Sequence, residues 1–148
     1  MNVLYLINYA GKAGTEKYVE NLVRILGRDQ ITPFFAYNID GELSEKMRAA
    51  GVEMLQLDMG KKAALFSAPK KLAEFCRGNR IDVIHAQYPR ENLIALRSKK
   101  YYGAPRVVMT SHLTLRLSGA SGLVWKRLNR HYSPQDHCVI SVCREGRD

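Results

Sequence analysis

The chain has 148 residues, 46% of them hydrophobic and 25% charged, which fits one domain burying about 68–70% of its unfolded surface without a disulfide or metal staple. Its three cysteines, Cys76, Cys138 and Cys143, have no metal-ligand spacing, and no apolar run approaches the roughly 20 residues of a membrane span. These features argue against a disulfide scaffold, a zinc module and a helical membrane protein, and the odd cysteine count without a signal-peptide pattern predicts a reducing, cytoplasmic setting. Net charge is +9 and unevenly spread: residues 61–130 carry 15 Lys/Arg against 3 Asp/Glu, a net of +12, and the remainder a net of −3. A basic middle of this kind predicts an acidic partner: anionic lipid, a phosphorylated substrate or nucleic acid.

The organising stretch is Asn2 to Leu26. Val3, Leu4, Leu6 and Ile7 read as a buried parallel strand. Gly11 and Gly14 break the pattern, and Val19, Leu22, Val23 and Leu26 then recur on one helical face. Thr15 is the expected cap of that helix, and Glu16 in its first turn suits the dipole. The exposed N–H groups of such a turn suit a phosphate. Gly-x-x-Gly is neither the dinucleotide fingerprint nor a P-loop, and it serves equally as a tight turn with no ligand.

Gly27 and Arg28 close the helix. Ile31 to Ile39 form a second strand, with Pro33 placing it away from the sheet centre. Glu42 to Ala50 form a polar helix ended by Gly51, and Val52 to Leu57 a third strand. Pro69 to Arg80 are predicted helical, with Leu72, Phe75 and Cys76 inward and Pro69 at the start. Lys70 and Lys71 lie at its beginning, and Lys61 and Lys62 just upstream. Asp82 to Gln87 read as strand four. Asn92 to Tyr102 form a helix with Leu93 and Leu96 inward and Arg97, Lys99 and Lys100 outward. Arg106 to His112 make strand five. A helix with Trp125 and Leu128 inward is expected within 123–131, strand six over His137 to Val142, and the start of another helix over 143–148.

Strand and helix patterns alternate six times with short connections. The expected fold is α/β: a doubly wound, Rossmann-like, mostly parallel sheet with helices on both faces. Ligands of such sheets sit beyond the C-terminal strand ends. The residues gathered there are the Tyr9–Gly14 turn, His85, Gln87, Tyr88, Arg90, Ser111 and His112. Two histidines at neighbouring strand ends suit acid–base work; a lone histidine at a strand end is more often a hydrogen-bonded structural residue, the reading preferred for His85 and left open for His112. No carboxylate pair, metal set or Ser-His-Asp order is evident, and no cofactor is expected.

Four stretches carry a resemblance. Gly11-Lys12-Ala13-Gly14-Thr15-Glu16 followed by Leu22 resembles the "GG-A/T-E-x-x-x-x-x-L" opening of family 4 glycosyltransferases of the GT-B fold. Asp82-Val-Ile-His-Ala-Gln is similar to their "D-V-I/V-H-A-H" segment. Gly103-Ala-Pro-Arg-Val-Val-Met-Thr-Ser-His112 is similar to their "G-x-P-x-V-x-T-x-H" strand, and Val139-Ile-Ser-Val142 to their "x-V-I-A-V-S". The resemblance runs over the whole chain in the right order. It implies the N-terminal half of a GT-B architecture over residues 1–148, with a second, donor-binding domain absent from this chain.

The resemblance also implies a reaction. A sugar moves from a nucleotide-sugar donor to an acceptor hydroxyl, on a glycan or lipid, usually with retained anomeric configuration and without metal. By the same resemblance Gly11, Lys12, Ala13 and Gly14 lie against donor phosphates and acceptor, and His112 lies beside the transferred sugar as the catalytic candidate. His85, Gln87, Tyr88, Arg90 and Ser111 complete the substrate-binding edge. Lys61, Lys62, Lys70 and Lys71 are the candidates for peripheral contact with an anionic membrane at its cytoplasmic face, at roughly 1 kcal/mol per basic residue. Departures are Ala13-Gly14 where two glycines are common and Cys143 where serine is usual. The donor contacts belong to the second domain, so the isolated chain is expected to turn over little.

Two other readings compete. One is a non-catalytic basic module for anionic lipid or nucleic acid: Tyr88, Tyr101, Tyr102, Trp125 and Tyr132 interleave with the basic residues. No nucleic-acid motif accompanies them, and nucleic acid is not the expected partner. The other is a sugar-nucleotide epimerase of similar fold.

Overall fold

The computed structural model describes residues 1–26, 30–112, 122–123, 127, 130–131 and 137–142. The expectations for Gly27, Arg28, Trp125, Leu128, Tyr132, Cys143 and the terminal helix start lie outside them. The elements are β1 (Asn2–Tyr9), α1 (Gly14–Ile25), β2 (Thr32–Ile39), α2 (Glu42–Ala49), β3 (Glu53–Gln56), α3 (Ala64–Gly78), β4 (Val83–Ala86), α4 (Pro89–Ser98), β5 (Arg106–Ser111) and β6 (Cys138–Ser141). The six strands form one sheet in the order β3-β2-β1-β4-β5-β6, and every pairing is parallel.

Strand alternation divides the core. Leu4 and Leu6 of β1, with Phe34, Ala36 and Ile84, pack against Ala68, Leu72 and Cys76 of α3 and Ile94 of α4. Val3, Tyr5 and Ile7, with Phe35 and Tyr37, face the opposite way onto Val19 of α1 and Leu43 and Met47 of α2. Both faces are therefore covered by helices, which is why the central strands read as unbroken apolar runs. The chain moves outward from β1 to β3, then returns to β4 on the other side of β1 and runs to β6. The strand order reverses between β1 and β4, which puts the switch-point crevice at their C-terminal ends.

Pro33 lies in β2, one strand in from the edge. It pairs with Val3 but stands before the β2–β3 ladder begins at Phe34 and Glu53, so its missing N–H breaks no bond on that side.

Several local expectations are corrected. Thr15 does not cap α1: Ala13 is the N-cap and makes no side-chain bond. Thr15 is buried, and its Oγ1 lies 2.7 Å from the Tyr88 hydroxyl. Helix α3 begins five residues before Pro69, which sits inside it. Its first turn closes through Ala64, Leu65 and Phe66 N–H donors to the carbonyls of Lys61, Lys62 and Ala63. Pro69 forfeits one helical bond but is buried, as are Ala64, Ala68 and Leu72. Helix α4 begins at Pro89, whose fixed φ suits a first helical position, rather than at Asn92. It ends at Ser98 and is buried over most of its surface. Arg97 and Lys99, expected outward, are half-buried: the Arg97 guanidinium lies 4.8 Å over the Phe66 ring, and Lys99 Nζ donates to the Pro105 carbonyl at 2.9 Å.

Helix α2 ends as its sequence predicts. Gly51 has φ +71°; its N–H donates to Arg48, and that of Val52 to Met47, the paired bonds of a left-handed stop. Helix α3 ends on the same bonds, Arg80 N–H to Arg77 and Ile81 N–H to Cys76, but with Arg80 at φ +51° where glycine is usual.

Candidate functional site at the sheet's C-terminal edge

The β1–α1 turn is clamped from α2. The Leu43 N–H donates to Ala10 O at 3.0 Å and Gly11 O at 3.2 Å, and Ala10 N–H donates to Ile39 O at 3.0 Å. Gly41 lies so close that a Cβ there would run into the Ala10 carbonyl, whereas a Cβ on Gly14 would meet no atom within 4 Å. The turn is held by α2, covered at Gly11 by the Tyr9 ring and open at Gly14. A cleft beside it is lined by Gly11, Lys12, Glu16, Lys17, Glu42 and Lys46, among others. Lys12 is paired with Glu42 at 3.2 Å, and Lys46 with Glu42 and Glu20, each at 3.0 Å. Ala13 closes the turn as the residue before α1.

Strand alternation sends His85 and Gln87 to the α1 side of the sheet, and Thr110 and His112 to that same side one strand over. His85 is buried, and its Nε2 lies 2.7 Å from Thr110 Oγ1. Tyr5 and Tyr18 flank its ring. Burial, with a smaller contribution from His112, lowers the His85 pKa from 6.5 to about 4, so the ring is neutral at pH 7. His112 is half-buried, with Nε2 2.9 Å from Gln87 Oε1. Tyr18 meets its ring edge-on at 5.2 Å and Tyr88 lies 5.9 Å away. Burial lowers the His112 pKa, and the Glu16 carboxylate acts against that shift. Glu16 is itself 5% exposed, and its Oε2 has no hydrogen-bond partner among the described residues.

The sheet ladder between β1 and β4 stops after Leu6 and Ala86. Beyond it the Asn8 N–H donates to Glu91 Oε1 at 2.7 Å, so a buried carboxylate at the start of α4 takes over from the missing strand. Burial raises the Glu91 pKa, opposed by backbone hydrogen bonds from Glu91 and Asn8 and by Arg90.

The predicted residues do not all converge. Gln87, Tyr88, His85 and His112 form one cluster with Tyr18 and Thr110. Arg90 is engaged elsewhere: Nη1 donates to the carbonyls of Met59 and Gly60, each at 2.9 Å, pinning the β3–α3 connection. Ser111 lies between Thr110 and His112, so alternation turns it to the other face; it pairs in register with Ser141 of β6. Lys61, Lys62, Lys70 and Lys71 are all exposed. Phe66 between them is 70% exposed. Among the described residues, no three His, Cys, Asp or Glu side chains form a group able to hold a metal.

Sequence reading missed Tyr18, Thr110 and Glu91. Tyr18 falls one helical turn after Thr15, a spacing that was legible. Thr110 shares its strand face with His112, equally legible from period two. Glu91 is hidden from a reading in which the helix starts at Asn92.

The profile of glycosyl transferase 4-like domains matches residues 13–148. No curated protein sequence matches the chain. Solved structures similar in fold include a glycosyltransferase from Rickettsia africae (TM-score 0.61, 15% identity, covering 95% of this chain and 42% of that one). MurG from Acinetobacter baumannii is similar at TM-score 0.60 and 10% identity, covering 86% of this chain and 39% of that one. Sucrose-phosphate synthase from Thermosynechococcus elongatus is similar at TM-score 0.59 and 11% identity, covering 93% and 41%. The chain thus spans about two fifths of the length of these structures. The parallel sheet, its strand order and the profile match agree: the chain belongs to the glycosyl transferase 4-like domain family, with the fold of a GT-B N-terminal domain.

Proposed function

We propose that this chain is the acceptor-side domain of a retaining, metal-independent glycosyltransferase that moves a sugar from a nucleotide-sugar donor to a hydroxyl of a lipid-linked or saccharide acceptor. In this reading a second domain supplies most donor contacts and the isolated chain is inactive. The observation that carries it is the cluster at the switch point. His112, whose pKa burial lowers, is held by Gln87 on the α1 side of the sheet, on the same edge as a turn at a helix N-terminus that is open at Gly14.

In transfer, the acceptor hydroxyl oxygen bonds to the anomeric carbon as the bond from that carbon to the donor phosphate oxygen breaks; the nucleoside diphosphate leaves with the electron pair, and its phosphate oxygen takes up the hydroxyl's proton. The N–H groups of the Gly11–Gly14 turn, with Lys12 at the rim, suit the charge that grows on the leaving phosphate. A neutral His112 suits hydrogen bonding to sugar or acceptor hydroxyls better than charge neutralisation. His85 and Thr110 back this edge, Tyr88 ties it to α1 through Thr15, and Arg90 holds the neighbouring loop. Ser111 belongs to the same strand end.

The exposed Lys61, Lys62, Lys70 and Lys71 around exposed Phe66 suit an anionic membrane surface: cations for the headgroups, a ring for the interface. No helix among the described residues is long and apolar enough to cross a membrane; the contact proposed for these lysines is peripheral.

The test compares the 148-residue chain with the product of its complete reading frame, each incubated with a panel of nucleotide sugars and acceptors. Transfer with retained configuration by the complete product and negligible transfer by the chain alone is the expected result. Transfer by the chain alone at an ordinary enzymatic rate overturns the half-enzyme reading, and inverted product overturns retention.

A further inference from the structure

One fully buried side chain at the switch point touches both histidine-bearing segments. Gln87 has 0% exposure, and its backbone N–H prolongs the ladder to Leu6 O at 3.3 Å. Its amide nitrogen donates to the His85 carbonyl at 3.3 Å, and its Oε1 lies 2.9 Å from His112 Nε2. A backbone carbonyl only accepts, so the end of the amide facing it is the NH2 and the end facing His112 is the oxygen. That oxygen also only accepts, so the proton between the two side chains belongs to His112 Nε2. A neutral imidazole carries one such proton, which leaves Nδ1 as the lone-pair nitrogen.

We infer that Gln87 is a positioning residue: it fixes His112 as the Nε2–H tautomer, so that Nδ1 is the hydrogen-bond acceptor offered to a ligand hydroxyl at the sheet's C-terminal edge. Only the identity of that ligand rests on the glycosyltransferase reading; the tautomer rests on the hydrogen bonds. The "D-V-I/V-H-A-H" pattern has histidine where Gln87 stands. An imidazole there could donate or accept and would titrate. The amide, locked by the His85 carbonyl, presents an acceptor at every pH. Among the described residues, the other groups about the His112 ring are Glu16 and Tyr18 from α1, His85 from β4, and Tyr88 just before α4.

Long-range proton–nitrogen NMR of the isotope-labelled 148-residue chain reads both ring nitrogens, with His112 assigned by its loss in His112→Ala. The expected wild-type spectrum has a protonated, exchange-protected Nε2 and an unprotonated Nδ1. Gln87→Met, similar in length without the acceptor, should lose that protection. Gln87→Glu should keep it and move the His112 titration to higher pH, because a carboxylate stabilises the imidazolium. A protonated Nδ1 in the wild type, or a protected Nε2–H persisting in folded Gln87→Met, overturns the inference. If the Met variant does not fold, a Gln87→Glu chain whose His112 titration stays put or falls overturns it equally. None of these spectra depends on sugar transfer, so this inference and the glycosyltransferase reading fail separately.

Discussion

His85 and His112 are the same residue type on adjacent strands, and burial separates their uses. His85 sits between two tyrosine rings with Thr110 on its Nε2, and its pKa falls from 6.5 to about 4. Protonating it costs stability: the unfolded chain takes up the proton near pH 6.5, the folded chain only near 4. Stability from this group is complete above the unfolded value and drains as pH falls toward 4, by about 3 kcal/mol in all. His85→Gln, which keeps a polar group opposite Thr110 but cannot titrate, should flatten that acid limb in urea melts between pH 6.5 and 4. An unchanged slope would contradict the assignment. The glycines separate just as sharply. Gly41→Ala drives a methyl into the Ala10 carbonyl and should lower stability by about 1–3 kcal/mol. Gly14→Ala meets nothing and should leave the melting temperature unchanged or slightly raised, while weakening donor binding if phosphate approaches that backbone. Calorimetry on the two variants, with nucleotide titration of Gly14→Ala in the complete protein, checks both halves.

At the scale of elements, the order and type of every described strand and helix were legible, because both faces of a parallel sheet must be apolar and each crossover helix carries its own period. What failed was the ends of helices. Pro69 looked like a first helical residue, yet burial of Ala64 and Ala68 drew the helix back over it. Pro89 is a first residue, and beginning α4 at Asn92 hid Glu91, the buried carboxylate that receives the Asn8 N–H. A hydroxyl at Thr15 suits a helix cap, but in the fold the tertiary bond to Tyr88 wins. The candidate site was legible as an edge and not as a cluster: strand ends gather residues, but only side-chain geometry sends Arg90 to the β3–α3 connection and Gln87 to His112. Arg80 offers an element-scale test. It ends α3 at φ +51°, a conformation costing a non-glycine residue about 1–2 kcal/mol. Arg80→Gly should recover about 1 kcal/mol, read as a raised urea midpoint with unchanged slope; a lowered midpoint would contradict the cap geometry.

Across the whole molecule, the candidate site and the basic face named in the proposal lie on different elements. The turn beside α1 is ringed by paired Lys and Glu side chains, whereas Lys61, Lys62, Lys70 and Lys71 stand in and before α3 around exposed Phe66. If those four hold an anionic membrane, replacing all of them with Gln should reduce binding to phosphatidylserine vesicles by orders of magnitude, at roughly 1 kcal/mol each, and leave donor binding intact. Salt-dependent RNA binding with no vesicle affinity would favour the nucleic-acid module instead. Whether the sugar moves at this edge is decided by steady-state transfer in the complete protein carrying His112→Ala. A fall in kcat of about 100-fold or more is expected, with melting temperature preserved. Transfer at the wild-type rate would remove His112 from the reaction and with it the reading of this edge as the place where the sugar moves.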